Sequence, residues 1–133
     1  MLRDGPIPVF IHGVIEYIAG VLFIAAPLLF GYDSGTATGV SVAVGVVILV
    51  VAATTAGPTG LIPRITASVH VTLDFVLAAF LIASPFLFGF SDETAPTAFF
   101  VALGIAHLLI TIGTRFKSSE PEPGAPPEAE RPA

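Results

Sequence analysis

Apolar residues run through this chain in four long blocks, Ile7 to Leu29, Thr36 to Ala56, Ile65 to Phe86 and Pro96 to Thr114, separated by short polar breaks. The blocks are apolar all round, with neither the period-two alternation of a half-buried strand nor a broad polar face, which is the pattern of helices that meet hydrocarbon. Each is long enough to cross a hydrocarbon layer of about 30 Å, which takes about 20 residues at 1.5 Å rise. Strands of a membrane barrel would instead alternate apolar and polar positions over about 10 residues. The expectation is an all-α membrane protein with four transmembrane helices.

The breaks carry turn and capping residues: Gly31-Tyr32-Asp33-Ser34-Gly35, then Gly57-Pro58-Thr59-Gly60 with Pro63, then Ser91-Asp92-Glu93-Thr94. Such short connections force consecutive helices to run antiparallel, so an up-down-up-down four-helix bundle over residues 1–116 follows. Beyond it the chain turns acidic and proline-rich, and residues 117–133 are expected to form a disordered cytoplasmic tail, having almost nothing apolar to bury. The first block is too long for the apolar core of a secretory signal and contains Glu16.

Composition sharpens this picture. Hydrophobic residues make up 54% of the chain and charged residues 11%, against about 25% charged in an ordinary soluble domain, so the partner expected first is the lipid bilayer. The net charge of -5 offers no footprint for nucleic acid, and the absence of cysteine removes thiolate metal sites and thiol nucleophiles. Arg3, Arg64, Arg115 and Lys117 all fall on the side shared by the termini and the middle loop, whereas the first and third loops carry Asp33, Asp92 and Glu93. The positive-inside rule then puts both termini in the cytoplasm.

An offset of 58 residues lays His12 to Tyr32 on His70 to Phe90: His12, Ile24, Ala25, Pro27, Leu29, Phe30 and Gly31 recur as His70, Ile82, Ala83, Pro85, Leu87, Phe88 and Gly89, and Glu16 falls on Asp74. The bundle is therefore expected to be two tandem helical hairpins, residues 7–56 and 65–114, related by a two-fold axis along the membrane normal. The motif Ser84-Pro85-Phe86 followed by Gly89, with its looser copy around Pro27 and Gly31, resembles that of the SPW-repeat family of prokaryotic integral membrane proteins. The signature Trp is replaced by Leu28 and Phe86. The resemblance implies two-helix repeats in a prokaryotic plasma membrane and no particular reaction. Physically, a proline in the last turn ends the helix, large apolar side chains sit at the interface, and glycine lets the chain reverse.

Candidate chemistry lies in the ionisable residues inside the blocks: His12, Glu16, His70, Asp74 and His107. Each His and its carboxylate are four residues apart and share a helical face, and counting from Arg3, Arg64 and Arg115 puts the three imidazoles at one depth. Gly20 and Ala78 continue those faces and are expected to bring the first and third helices together, with the second and fourth outside them. Ala98, Ala102 and Ala106 form a small-residue seam expected to draw His107 in. Three readings stay open: interhelical hydrogen bonds that fix register, with Tyr17 or Thr111 as further partners; a metal such as Zn, Fe, Cu or Mn, or a haem between two imidazoles; or proton or ion passage. No nucleophile with a base and oxyanion donors stands out, so no enzyme activity is expected. A structural or accessory membrane subunit is the first expectation, with a homo-oligomer or a membrane-complex partner left open.

Overall fold

A computed structural model describes residues 5–116; Arg3, Lys117 and the expected tail at 117–133 lie outside the described residues. Four helices account for most of it: α1 Val9–Leu29, α2 Gly35–Thr54, α3 Ala67–Leu87 and α4 Thr94–Gly113. All four are long and apolar enough to span a membrane. Their outward faces carry large apolar side chains such as Ile18, Val50, Val76 and Leu109, which in a bilayer meet lipid.

The two hairpins repeat each other position by position. The buried set of α1 (His12, Gly13, Glu16, Gly20, Phe23, Ala26, Pro27) recurs in full 58 residues later on α3 as His70, Val71, Asp74, Ala78, Leu81, Ser84 and Pro85. The second helices are related by 59 residues instead, Ala37 to Pro96, Gly45 to Gly104 and Ala52 to Thr111. One extra residue in the second hairpin's turn accounts for the difference.

At the turn end, the motif residues build a helix stop. Pro27 and Pro85 stand in the last turns of α1 and α3, and Gly31 (φ +61°) and Gly89 (φ +72°) take the left-handed conformation that only glycine adopts without strain. Tyr32 N–H then donates to Pro27 C=O and Phe90 N–H to Pro85 C=O, the six-to-one bond of a Schellman stop. Leu28 and Phe86, standing where the family has Trp, project outward with 90% and 65% exposure, as side chains at a membrane interface do. Proline cannot donate to the carbonyl four residues back; at Pro27 that carbonyl, Phe23 C=O, accepts the Ser41 hydroxyl at 2.6 Å instead.

Packing differs from the expected plan in two respects. Each first helix packs along the second helix of its own hairpin, while the backbones of α1 and α3 stay apart. Gly20 faces Gly45 on α2, so closely that a Cβ on Gly45 would sit 2.6 Å from Gly20 O, and Ala78 faces Gly104 in the same way. The small residues close each hairpin and do not join the two. The alanine seam of α4 is not at a helix contact either: Ala98 and Ala102 are exposed, and Phe99 and Phe100 take the inward positions. Their rings meet Phe23 at centroid distances of 4.8 and 5.4 Å, and together with Phe90 and Leu81 they fill the bundle's turn-end half.

At the opposite, terminal end the hairpins are tied reciprocally. Ile7, ahead of α1, pairs in parallel with Thr114 at the end of α4, and Ile65, ahead of α3, pairs in parallel with Thr55 at the end of α2. Each hairpin's entry thus grips the other's exit.

Candidate functional site

The exits matter because of what their side chains hold. Thr55 and Thr114 are the C-cap residues of α2 and α4. Thr114 Oγ1 lies 2.9 Å from His12 Nδ1 and Thr55 Oγ1 2.8 Å from His70 Nδ1, so each threonine holds the histidine of the other hairpin. A hydroxyl has one proton to donate, and both are already committed: Thr114 donates to Ile110 C=O at 2.6 Å and Thr55 to Val51 C=O at 2.7 Å. Each threonine oxygen must therefore accept, and each imidazole must carry its proton on Nδ1. That assignment leaves both Nε2 atoms to face the centre of the bundle with a lone pair or a second proton.

Facing them are the two carboxylates. Four contacts close a ring: His12 Nε2 to Asp74 Oδ2 at 3.2 Å, Asp74 Oδ2 to His70 Nε2 at 3.3 Å, His70 Nε2 to Glu16 Oε1 at 3.1 Å, and Glu16 Oε1 back to His12 Nε2 at 3.6 Å. No two of these four atoms are more than 4.8 Å apart, and all four residues are buried. His107, on α4, adds a third imidazole with Nε2 at 3.4 Å from the other Asp74 oxygen. The structure thus brings together all five ionisable residues singled out in the sequence, with the His12 ring centroid 5.7 Å from that of His70 and 6.2 Å from that of His107. Tyr17 and Thr111 do not join them. Tyr17 donates to Thr59 C=O at 2.9 Å, and Thr111 Oγ1 finds no partner among the described residues.

The ring distances are long for what they would otherwise be. A charge-assisted hydrogen bond between imidazolium and carboxylate is about 2.7–2.9 Å long, and His12 Nε2, Asp74 Oδ2 and His107 Nε2 have no properly directed hydrogen bond at all. Edges of 3.1–3.6 Å also match the donor–donor spacing of a coordination polyhedron. Donor atoms bound at about 2.0–2.1 Å in a tetrahedron stand about 3.3–3.4 Å apart, and in a flattened ring the common centre moves out to about 2.3 Å, still a metal–ligand length. A haem does not fit here, because Glu16 and Asp74 fill the plane between the two imidazoles that a porphyrin would need.

Phe116 covers the cluster from the terminal end, its ring centroid 5.0 Å from that of His12 and 6.3 Å from that of His70. The sequence reading missed Thr55, Thr114 and Phe116. The signal for the threonines was present, one hydroxyl at the exit of each hairpin, but the change of offset from 58 to 59 takes them out of register with the histidine repeat.

A family model described as the SPW repeat domain matches residues 10–114, which takes in both hairpins and all five ionisable residues. The chain belongs to the SPW repeat family. No curated protein and no solved structure matches it. This SPW-repeat chain is a small integral membrane protein by its four spanning helices and its family, and the Ser-Pro-Phe-Leu-Phe-Gly run of its second repeat is the stop at the end of α3.

Proposed function

We propose that this SPW-repeat protein is a membrane-embedded binding protein for a first-row divalent transition cation, held between its two hairpins by His12 and His70 Nε2, Glu16 Oε1 and Asp74 Oδ2. The observation that carries the reading is the commitment of the Thr55 and Thr114 protons to backbone carbonyls. With Nδ1 protonated and Nε2 not, two imidazole lone pairs face two carboxylates, a repulsive arrangement that a dication at the centre converts into coordination. Two carboxylates and one dication sum to zero charge, which is what a low-dielectric interior tolerates. Two nitrogen and two carboxylate oxygen donors suit borderline cations such as Zn²⁺, Fe²⁺ or Mn²⁺. The Nδ1–H to threonine bonds supply the outer contacts that orient metal-binding imidazoles. In this reading the terminal end faces the cytoplasm, supported by Arg64 and Arg115 there against Asp33, Asp92 and Glu93 at the turn end.

Co²⁺ titration of the purified protein tests it. One equivalent of Co²⁺ is expected to give a visible ligand-field spectrum that Zn²⁺ abolishes and that His12→Ala and Asp74→Ala lack. A protein that binds neither ion refutes the reading.

One observation favours a second role for the same residues. The hairpins meet sparingly along their lengths, and each carboxylate reaches the histidine of the opposite hairpin. With a second proton on each imidazole in place of the cation, the ring is a neutral clasp that fixes how the hairpins dock, as a structural or accessory membrane subunit requires. Metal-free protein that is as heat-stable as metal-loaded protein supports the clasp alone.

A further inference from the structure

The two hairpins are near copies, but their exits end differently. Two residues beyond Thr114 stands Phe116, buried over the imidazoles; two residues beyond Thr55 stands Gly57, exposed, with nothing within 4 Å of where its Cβ would be. One side of the cluster has an aromatic cover and the matching side has none. Between Phe116 and the Gly57 turn a cavity of about 30 Å³, with Phe116 on its wall, runs from Gly57, Pro58 and Thr59 to His12, Glu16 and His70, space for one or two waters at a time.

Among the described residues, the directions toward the turn end and toward lipid are closed to a cation. Toward the turn end the bundle is filled by Phe23, Leu81, Phe90 and Phe100, none more than 1% exposed. Phe23 lies seven residues beyond Glu16 on the same helix, about 10 Å deeper. A second cavity, of about 190 Å³, reaches Glu16 and Asp74 sideways between α2 and α3, but Val47, Val51, Leu73 and Leu77 line it and it opens where lipid lies. A hydrated dication does not enter hydrocarbon.

Resting on the cation reading above, we infer that the bound ion exchanges only with the solution at the terminal end, through the gap that Gly57 leaves uncovered, and never crosses to the turn end. The protein would then hold or sense a cation from one compartment and would not conduct it. Thr59 stands on the wall of this mouth. It packs so closely on Gly13 that a Cβ there would overlap it, and its carbonyl is held by the Tyr17 hydroxyl at 2.9 Å.

The chain has no cysteine of its own, so Gly57→Cys can be folded first and modified afterwards with a bulky maleimide, which separates blocking from misfolding. Co²⁺ loading and its removal by EDTA are followed by absorbance. The modified protein is expected to load and unload roughly tenfold more slowly or worse, as for a gated site, with the final absorbance unchanged. Phe116→Gly, which widens the same cavity, is expected to speed both. In proteoliposomes with an entrapped metal-sensitive dye, the unmodified full chain is expected to admit no more Co²⁺ or Zn²⁺ than empty vesicles. Unchanged rates after modification, with full cobalt absorbance, overturn the mouth and leave the cation site standing. Metal influx overturns one-sidedness. No cobalt spectrum in any variant overturns the cation site itself.

Discussion

The first helices of the two hairpins are copies, and the second helices are not. Every buried position of α1 has a buried counterpart on α3, including both His and carboxylate pairs. Between α2 and α4 the inward positions diverge: Ser41 becomes Phe100, Ile48 becomes His107, and beyond the caps Gly57 becomes Phe116. Even the cap of the second helix changes, from Ser34, which accepts from Ala37 N–H, to Glu93, whose carboxylate instead accepts from Asp33 and Ser34 N–H of the other hairpin at 2.7 and 2.8 Å. Where residues must supply matching donors from two sides of an axis, the repeat is kept. Where they set what surrounds that centre, the copies are free to differ, and the seam between α1 and α4 has filled with aromatic rings while that between α2 and α3 keeps its cavities.

The largest effects should come from the duplicated part. Asp74→Ala strands His12, His70 and His107 at once, and breaking one partner of a buried charge cluster costs about 3–5 kcal/mol. Glu16→Ala removes contacts to two histidines only and should cost less. Unfolding followed in mild detergent checks the order, and equal losses at the two positions would mean that His107 adds nothing and that the cluster is as symmetric as its helices.

Hairpin closure comes next. Gly45→Ala forces a methyl to within 2.6 Å of Gly20 O, a backbone atom that cannot swing aside, whereas the Cβ of Gly104→Ala meets Ile82 Cγ1 at 2.8 Å, Leu81 Cβ at 3.1 Å and backbone only at 3.2 Å. Overpacking of this kind costs about 1–3 kcal/mol, with Gly45→Ala the worse of the two. Gly39→Ala, with open space around it, is the control and should be neutral or stabilising. If Gly45→Ala is also neutral, the first hairpin is looser than its copy.

Much of this was legible from residues alone, for particular reasons. Blocks apolar on every side have no competing reading as strands, so the four helices appear within two residues of their observed ends, as with Ile7 to Leu29 against Val9–Leu29. The i,i+4 spacing of His12 with Glu16 and of His70 with Asp74 put each pair on one face whatever the packing, and hydrocarbon left those faces nowhere else to point. Partner choice was not legible. A small residue such as Gly20 announces a close approach but not to which helix, and it went to Gly45. Thr55 and Thr114 looked like the polar ends of two apolar blocks, since only the fold shows that their carbonyl bonds turn them into acceptors for the opposite hairpin's imidazole.

Those threonines give a smaller and more diagnostic effect. Thr55→Val and Thr114→Val each remove two neutral hydrogen bonds, one to the imidazole and one to a backbone carbonyl, at about 1 kcal/mol of stability apiece, while leaving every ligand atom in place. Because outer contacts of this kind change metal affinity by about 10–100-fold, Co²⁺ affinity should fall by roughly tenfold in each. The two substitutions are equivalent if the hairpins act as a symmetric pair. A larger loss at Thr114, whose histidine also lies under Phe116, would show that the aromatic cover helps to hold His12.

The smallest effect is expected where the chain departs from its own family. Leu28 and Phe86 occupy the position named for Trp, at the ends of α1 and α3, and both point away from the bundle. Leu28→Trp therefore changes no packed contact, and substitutions at such exposed sites usually stay within about 0.5 kcal/mol. What an indole adds at that depth is an interfacial anchor with an N–H for the headgroup region, which should fix how far the turn end sits in the bilayer and leave the stability and metal affinity unchanged. The introduced Trp is also the chain's sole indole, so its fluorescence reports its own environment. Quenching by lipids brominated at different depths should place it at the interface, at the same depth in Phe86→Trp. Two different depths would mean that the hairpins, alike in their stops, are seated unequally in the membrane.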